Sequence, residues 1–133
     1  MILDTSAIVA VFLKEPGYES LIEVLTGAEA IGIGAPTLAE TGIVLEGRFG
    51  EEAFGWLREF ADEFRLTTIP FGSLHWREAV AAYARYGKGR HQAGLNFGDC
   101  LTYAVARLAG QPLLCVGFDF PCTDLELVDL GAQ

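Results

Sequence analysis

The sequence holds few of the residues from which soft-metal and redox sites are built. In 133 residues there are three cysteines (Cys100, Cys115, Cys122), two histidines (His75, His91) and one methionine. The cysteines form neither a disulfide framework nor the paired spacing of a zinc site. Cys115 lies in an apolar run and reads as a small core hydrophobe in a reducing cytosol. Lysine is as scarce as histidine: Lys14 and Lys88 are the only two. Neither follows a C-terminal strand, which counts against an acidic-pocket signalling domain, since such a pocket needs a lysine beside its carboxylates. Long hydrophobic runs are also lacking. The longest, Ile31–Ala39 and Pro112–Phe118, fall well short of the roughly 20 residues a membrane helix needs. No basic leader precedes the opening apolar run, so no secretory signal is expected. These features predict one cytoplasmic domain over residues 1–133, away from any membrane.

Hydrophobic residues make up 51% of the chain, enough to bury a core, and the formal net charge is −9. A strongly acidic protein looks unsuited to nucleic acid, whose phosphates are met by basic groups. The distribution of charge says more than its total. Between Glu78 and Asp99 there is no acidic residue, and this window carries Arg85, Lys88, Arg90 and His91 among Tyr83, Tyr86 and Phe97. Such a patch can follow a phosphate backbone and stack bases; the alternative is a solvated, glycine-punctuated loop. The acids in Glu15–Glu29 and Glu46–Glu63 read as ordinary exposed helix faces.

Short strands are expected at Ile2-Leu3, Ala30–Ala35, Leu66–Ile69, Leu113–Val116 and Leu125–Val128. Helices are expected from a Ser6 N-cap through Leu13, then over Tyr18–Thr26, Thr37–Glu46, Glu51–Phe64, Ser73–Tyr86 and Phe97–Leu108. Phe54, Leu57, Phe60, Ala61 and Phe64 form one apolar stripe. The alternation of strand and helix predicts an α/β protein with a mainly parallel sheet. Ligands in such folds gather at the carboxyl ends of the strands, where Asp4 and Asp119 would both lie.

Four acids stand beside apolar sequence rather than in charged stretches: Asp4, Glu40, Asp99 and Asp119. A carboxylate against a core is costly unless something holds it, and clustered carboxylates need a proton, a basic group or a cation. Each also has a structural explanation. Asp4-Thr-Ser6 could open a helix. Thr37-Leu-Ala-Glu40 matches a capping box, although Ile43, Val44 and Gly47 share the face of Glu40. Asn96 could cap a helix whose third position is Asp99, and Asp119 and Asp124 lie in turn-rich sequence. An Asp-x-Asp phosphatase is excluded, because Ser6 occupies the second acidic position.

Taken in order, Ile2-Leu-Asp-Thr-Ser-Ala-Ile8, the Glu40 helix and Asn96-Phe-Gly-Asp-Cys-Leu-Thr-Tyr-Ala104 resemble PIN-domain ribonucleases, and most nearly VapC-type toxins of bacterial toxin–antitoxin modules. The resemblance covers nearly the whole chain, including Arg48-Phe-Gly50 and Tyr86-Gly-Lys-Gly-Arg-His91. It implies a three-layer α/β/α PIN-like domain that forms a homodimer and cuts RNA, transfer or ribosomal, with bound Mg²⁺ or Mn²⁺. It also implies a cognate VapB-type antitoxin that blocks the site. By position, Asp4, Glu40 and Asp99 would hold the metal, and Ser6 would support them by hydrogen bonding. The chain departs from the common pattern after the fourth strand, where Gly117 stands in place of an expected aspartate. Asp119 keeps the Asp-Phe pair as the fourth catalytic acid, with Asp124 in reserve. Arg85, Lys88, Arg90 and His91 would then meet RNA phosphate, and Tyr86 would stack on a base. The competing reading is a non-catalytic partner-binding domain.

Overall fold

A computed structural model describes residues 1–131. Ile2–Leu3 forms β1, and α1 (Thr5–Phe12) follows at once. Its N-cap is Asp4, not Ser6: an Asp4 carboxylate oxygen accepts the Ser6 N–H at 3.1 Å. Next come α2 (Tyr18–Gly27), β2 (Gly32–Gly34), α3 (Ala35–Phe49) and α4 (Ala53–Glu63). β3 (Thr67–Ile69), α5 (Ser73–Tyr86), α6 (Phe97–Ala109), β4 (Leu113–Leu114) and a 3₁₀ turn at Phe120–Cys122 complete the order.

The strands lie in the order β3-β2-β1-β4, and every pairing is parallel. From β1 the chain builds outward through β2 to β3, then returns to lay β4 on the other side of β1. The order reverses between β1 and β4, so a crevice opens at their carboxyl ends. The segment expected as a fifth strand, Leu125–Val128, makes only an isolated bridge between Leu127 and Leu113. Leu113 donates its N–H to the Glu126 carbonyl at 3.0 Å and accepts the Val128 N–H at 2.9 Å, and the pairing is carried no further than this one residue.

Side chains alternate across the sheet as the pleat requires. Ile2 and Leu113 face a core built with α5 and α6, whereas Leu3, Ile33 and Leu114 face one built with α1, α2 and α4. The result is a layer of helices on each face of a parallel sheet. Gly32 and Gly34 present no side chain to the α6 face. A Cβ on Gly34 would sit 2.8 Å from Cγ2 of Val105, so glycine there lets α6 approach the sheet closely.

α4 departs from the expected single stripe. Leu57 and Phe60 are buried, but Phe54 is 64% exposed. It lines an open groove of about 600 Å³ between α3 and α4, together with Ile43, Leu38 and Ala61. α5 is capped by Gly72 rather than Ser73, and the Nδ1 of His75 accepts the Gly72 N–H at 3.0 Å. His75 is thus a capping residue. No helix among the described residues is long and apolar enough to cross a membrane.

Candidate functional site

At the carboxyl ends of β1 and β4 lies an open cleft of about 380 Å³ whose acids are Asp4, Glu15, Glu40 and Asp99. Four separate parts of the chain meet here. Asp4 follows β1 directly and is only 5% exposed. Its backbone N–H donates to the Leu114 carbonyl at 3.0 Å, which fixes its height relative to β4. Ser6 makes a second tie, accepting the Val116 N–H on its hydroxyl at 2.9 Å. Ser6 therefore anchors the chain leaving β4 to the start of α1.

Glu40 comes from the second turn of α3. The capping box read from Thr37 and Glu40 does not form, because Gly34 is the N-cap and Thr37 lies inside the helix. Thr37 is buried instead, with its hydroxyl 3.1 Å from that of Thr102 on α6. Glu40 is left to face the cleft, where Oε1 accepts a hydrogen bond from Thr5 Oγ1 at 2.7 Å.

Asp99 sits at the third position of α6 in a reciprocal cap. It accepts the Asn96 N–H at 3.1 Å and donates its own N–H to Asn96 Oδ1 at 2.9 Å. Both readings of this residue hold together, since a capping carboxylate also lines the cleft. Burial pushes the Asp99 carboxyl up to about 6; the Asn96 N–H works against the rise, and the charges of Asp4, Asp119 and Glu40 add to it. Asp119 is an exposed residue of the loop after β4, so it contributes field to the cleft without lining it.

The reserve acid, Asp124, is committed elsewhere. It accepts the Tyr103 hydroxyl at 2.7 Å and pairs with Arg107 at 3.2 Å and Arg85 at 3.5 Å. Burial works to raise its pKa, but the Tyr103 hydrogen bond and the charges of Arg107 and Arg85 outweigh it and hold the carboxyl below its ordinary value. Arg85 is correspondingly drawn away from phosphate duty, with its guanidinium also 4.8 Å from the Tyr86 ring centre. Tyr86 is 5% exposed and packs on Tyr103 and His91, so it cannot stack on a base. The periodicity of α5 turns it into the core. His91 is half-buried, and its Nδ1 accepts the Ala93 N–H at 3.0 Å. Lys88 and Arg90 alone of the expected patch stand in solvent without an acidic partner, Arg90 lying 5.5 Å from the exposed Tyr83 ring centre.

Two cleft residues escape sequence reasoning. Glu15 looked like part of an exposed helix face, yet it lies beyond α1, where its N–H reaches back to the Ala10 carbonyl at 2.9 Å. Thr5 carried no signal beyond its neighbours. Among the described residues no group of three or more His, Cys, Asp or Glu side chains forms a ready-made metal cage. The donors nonetheless fit a hard cation. They are carboxylate oxygens only, and Mg²⁺ keeps most of its waters and takes one or two carboxylates directly. The raised Asp99 pKa reports first its burial and, to a lesser degree, the repulsion from neighbouring acids that a cation would relieve.

Residues 1–124 match the family model described as PIN domain. The chain belongs to the PIN domain family. Among its relatives is Ribonuclease VapC36 of Mycobacterium tuberculosis, 48% identical over 127 residues that cover 95% of this chain and 91% of that one. Ribonuclease VapC of Mycolicibacterium smegmatis is 40% identical over 128 residues, covering 96% and 99%. The family membership is therefore that of the VapC ribonucleases. The fold is also that of Mycobacterium tuberculosis VapC20, described as a sarcin-ricin loop cleaving toxin, with a TM-score of 0.78 at 18% identity over 96% of this chain and 97% of that one. VapBC2 from Rickettsia felis, bound to a DNA fragment from its promoter, aligns with a TM-score of 0.74 at 20% identity, covering 96% of each chain.

The Asp124 cluster generates a pH-dependent prediction. A carboxyl held below its ordinary pKa contributes stability that is present above the unfolded value and lost as pH falls through the folded one. Asp124→Asn should therefore cost about 1 kcal/mol at neutral pH, after allowance for solvent screening. The deficit should shrink at a pH well below the ordinary carboxyl value of about 3.9, where the wild-type carboxyl takes up its own proton. Urea titrations of both proteins at the two pH values give the answer, and an equal deficit at both would refute the assignment.

Proposed function

We propose that the cleft of Asp4, Glu40 and Asp99 is the RNA-cleaving centre of a VapC ribonuclease toxin, working as one domain over residues 1–133. The observation that carries this reading is the meeting, at the topological switch point of a parallel sheet, of acids from three separate elements. It is supported by the identity to VapC ribonucleases along nearly the full chain. Asp4, Glu40 and Asp99 would hold Mg²⁺, or Mn²⁺, and Asp119 would add negative field from the rim. When bound, the ion supplies charge neutralisation at the scissile phosphate and a more acidic water. The chain's own residues do the orienting. Ser6 holds the β4 loop against α1, Asn96 fixes Asp99 through its N–H, and Thr5 fixes Glu40.

Asp4→Asn or Asp99→Asn should abolish cleavage while preserving the fold. Either change removes one of the repelling charges, so the metal-free protein should melt no lower than wild type. Thermal melts with and without Mg²⁺, run beside a cleavage assay, test both halves. A wild type that gains no stability from the ion, together with a mutant that still cuts, would remove the metal-centre reading.

The substrate is proposed to be a folded transfer or ribosomal RNA, and its phosphates to be met by Lys88 and Arg90. Replacing both by alanine should weaken RNA binding and flatten its salt dependence by up to about two units of log–log slope. Mn²⁺ binding should not change. Parallel salt slopes with equal rates would clear these residues of that role.

Two partners are proposed: a second copy of this chain and a VapB-type antitoxin. Support comes from apolar side chains left in solvent, with Ile43 72%, Phe54 64%, Val80 62% and Phe97 78% exposed. Exposed apolar surface on this scale is typical of interaction faces. Sedimentation at micromolar concentration should give a dimer. Co-expression with a short reading frame beside the gene should give a larger, cleavage-inactive complex. A clean monomer that ignores the neighbouring product would dismiss both partners.

A further inference from the structure

We infer that Thr5 and Gly98 are positioning residues that clamp the Glu40 carboxylate from opposite sides, an inference that rests on the metal-centre reading above. On one side, Thr5 Oγ1 lies 2.7 Å from Glu40 Oε1 and 3.3 Å from the Thr37 carbonyl. A hydroxyl has one proton, and the shorter contact, to a charged acceptor, takes it. Thr5 is itself held from behind. The fully buried Thr41 hydroxyl lies 3.1 Å from Thr5 Oγ1 and 2.8 Å from the Thr37 carbonyl. A β-branched side chain has few χ1 choices to begin with, so this contact leaves Thr5 Oγ1 aimed at Glu40.

On the other side stands the bare backbone of Gly98. A Cβ built there would collide with Glu40 Oε2 and would also sit 3.1 Å from the carboxyl carbon and 3.2 Å from Oε1. All three terminal atoms of Glu40 thus crowd the space a side chain would fill. Backbone conformation does not demand glycine at this position, because Gly98 is not among the glycines with positive φ. As a residue of the first turn of α6 it is even a poor helix former. Glycine leaves room here that Glu40 occupies, and a side chain at this position would have to push the Glu40 carboxylate out of its place.

Glu40 lies on a long, flexible side chain that loses considerable rotamer freedom when fixed. Asp4 and Asp99 are short and held by adjacent backbone N–H groups; Glu40 has no such local donor and depends on Thr5 and Gly98 instead. Partners that orient a metal ligand typically carry 10- to 100-fold in affinity or activity.

The test measures Mn²⁺ affinity of the RNA-free protein by calorimetry and electron paramagnetic resonance, beside kcat and KM for RNA. Thr5→Val and Gly98→Ala should each weaken Mn²⁺ by about 10- to 100-fold, lowering kcat with little change in KM. Thr5→Ser keeps the hydroxyl and should restore wild-type affinity. In a Glu40→Ala background neither change should cost further Mn²⁺ affinity. There Gly98→Ala should instead raise the melting temperature, since the collision is gone and alanine favours the helix. Should Gly98→Ala alone fail to fold, its behaviour in that background and the Thr5 pair still decide the matter. Wild-type Mn²⁺ affinity in Thr5→Val and Gly98→Ala, with Glu40→Ala impaired, would overturn the clamp and leave the metal centre standing. So would losses that persist undiminished in the Glu40→Ala background. Wild-type affinity in Glu40→Ala would overturn both.

Discussion

Repulsion among carboxylates at the carboxyl edge of the sheet is the constraint on which the rest of this structure depends. Asp4, Glu40 and Asp99 face one cleft from three elements, and burial prevents water from screening them fully. The fold answers by giving each acid a separate donor: the Ser6 N–H for Asp4, the Asn96 N–H for Asp99 and the Thr5 hydroxyl for Glu40. Two of these donors are helix-start N–H groups that need an acceptor in any case. Helix capping and site construction therefore draw on the same atoms. The compensation is incomplete: burial first, and then the charges of Asp4, Asp119 and Glu40, push the Asp99 carboxyl up to about 6 against the Asn96 hydrogen bond.

Holding acids in mutual repulsion demands a frame that does not yield. The cleft has one because Asp4 leaves the central strand β1 directly, while Glu40 and Asp99 stand on the packed helices α3 and α6. Asp4 is pinned to β4 through the Leu114 carbonyl, and Ser6 pins the following loop through the Val116 N–H. α3 and α6 are joined beneath the cleft by the Thr37–Thr102 hydroxyl contact, and α6 is drawn in by the missing side chain of Gly34. A site carried on packed helices and strands keeps its geometry better than one on loops. Asp119, exposed on the loop after β4, does not line the cleft.

The sequence carried the α/β architecture because strand and helix alternate with clear breakers, and because Gly-Ile-Gly marked a strand pressed against a helix. It could not resolve the Asp4 and Asp99 alternatives, since a cap and a cleft ligand demand the same residue at the same place. The apolar face that suggested an inward Glu40 is itself in solvent, with Ile43 72% and Val44 43% exposed; Glu40 faces the cleft because the competing cap with Thr37 does not form. Tyr86 was misread because aromatics beside arginines look alike whether they stack on a base or on the core; only the rotation of α5 separates the two. Thr5 and Gly98 were invisible for a different reason. Their importance lies in contacts 35 and 58 residues away along the chain, counting to Glu40, and local pattern contains no trace of such pairs.

The chain's overall charge of −9 sets the remaining problem, because a polyanionic substrate must enter a cleft that is itself acidic. Screening reduces this conflict at a distance. With a Debye length of about 8 Å at physiological salt, the acids on α2 and the far turns of α4 matter little to an approaching phosphate. The local field is decisive, and there the acid-free window from Ala79 to Gly98 ends directly beside Asp99. Within it Arg85 shares the single carboxylate of Asp124 with Arg107, whereas Lys88 and Arg90 are the exposed cations of the window with no acidic partner among the described residues. The Arg85–Asp124–Arg107 cluster thus does more than brace α5 against α6. By tying one arginine of the window to a shared carboxylate it weakens the positive field beside Arg85 relative to the Gly87–Arg90 turn. A phosphate attracted to that turn would still meet the repulsion of Asp4, Glu40 and Asp99 before reaching them. On the proposed reading, a bound cation offsets the charge of the cleft and lets the carboxylate cluster and the basic turn serve one substrate.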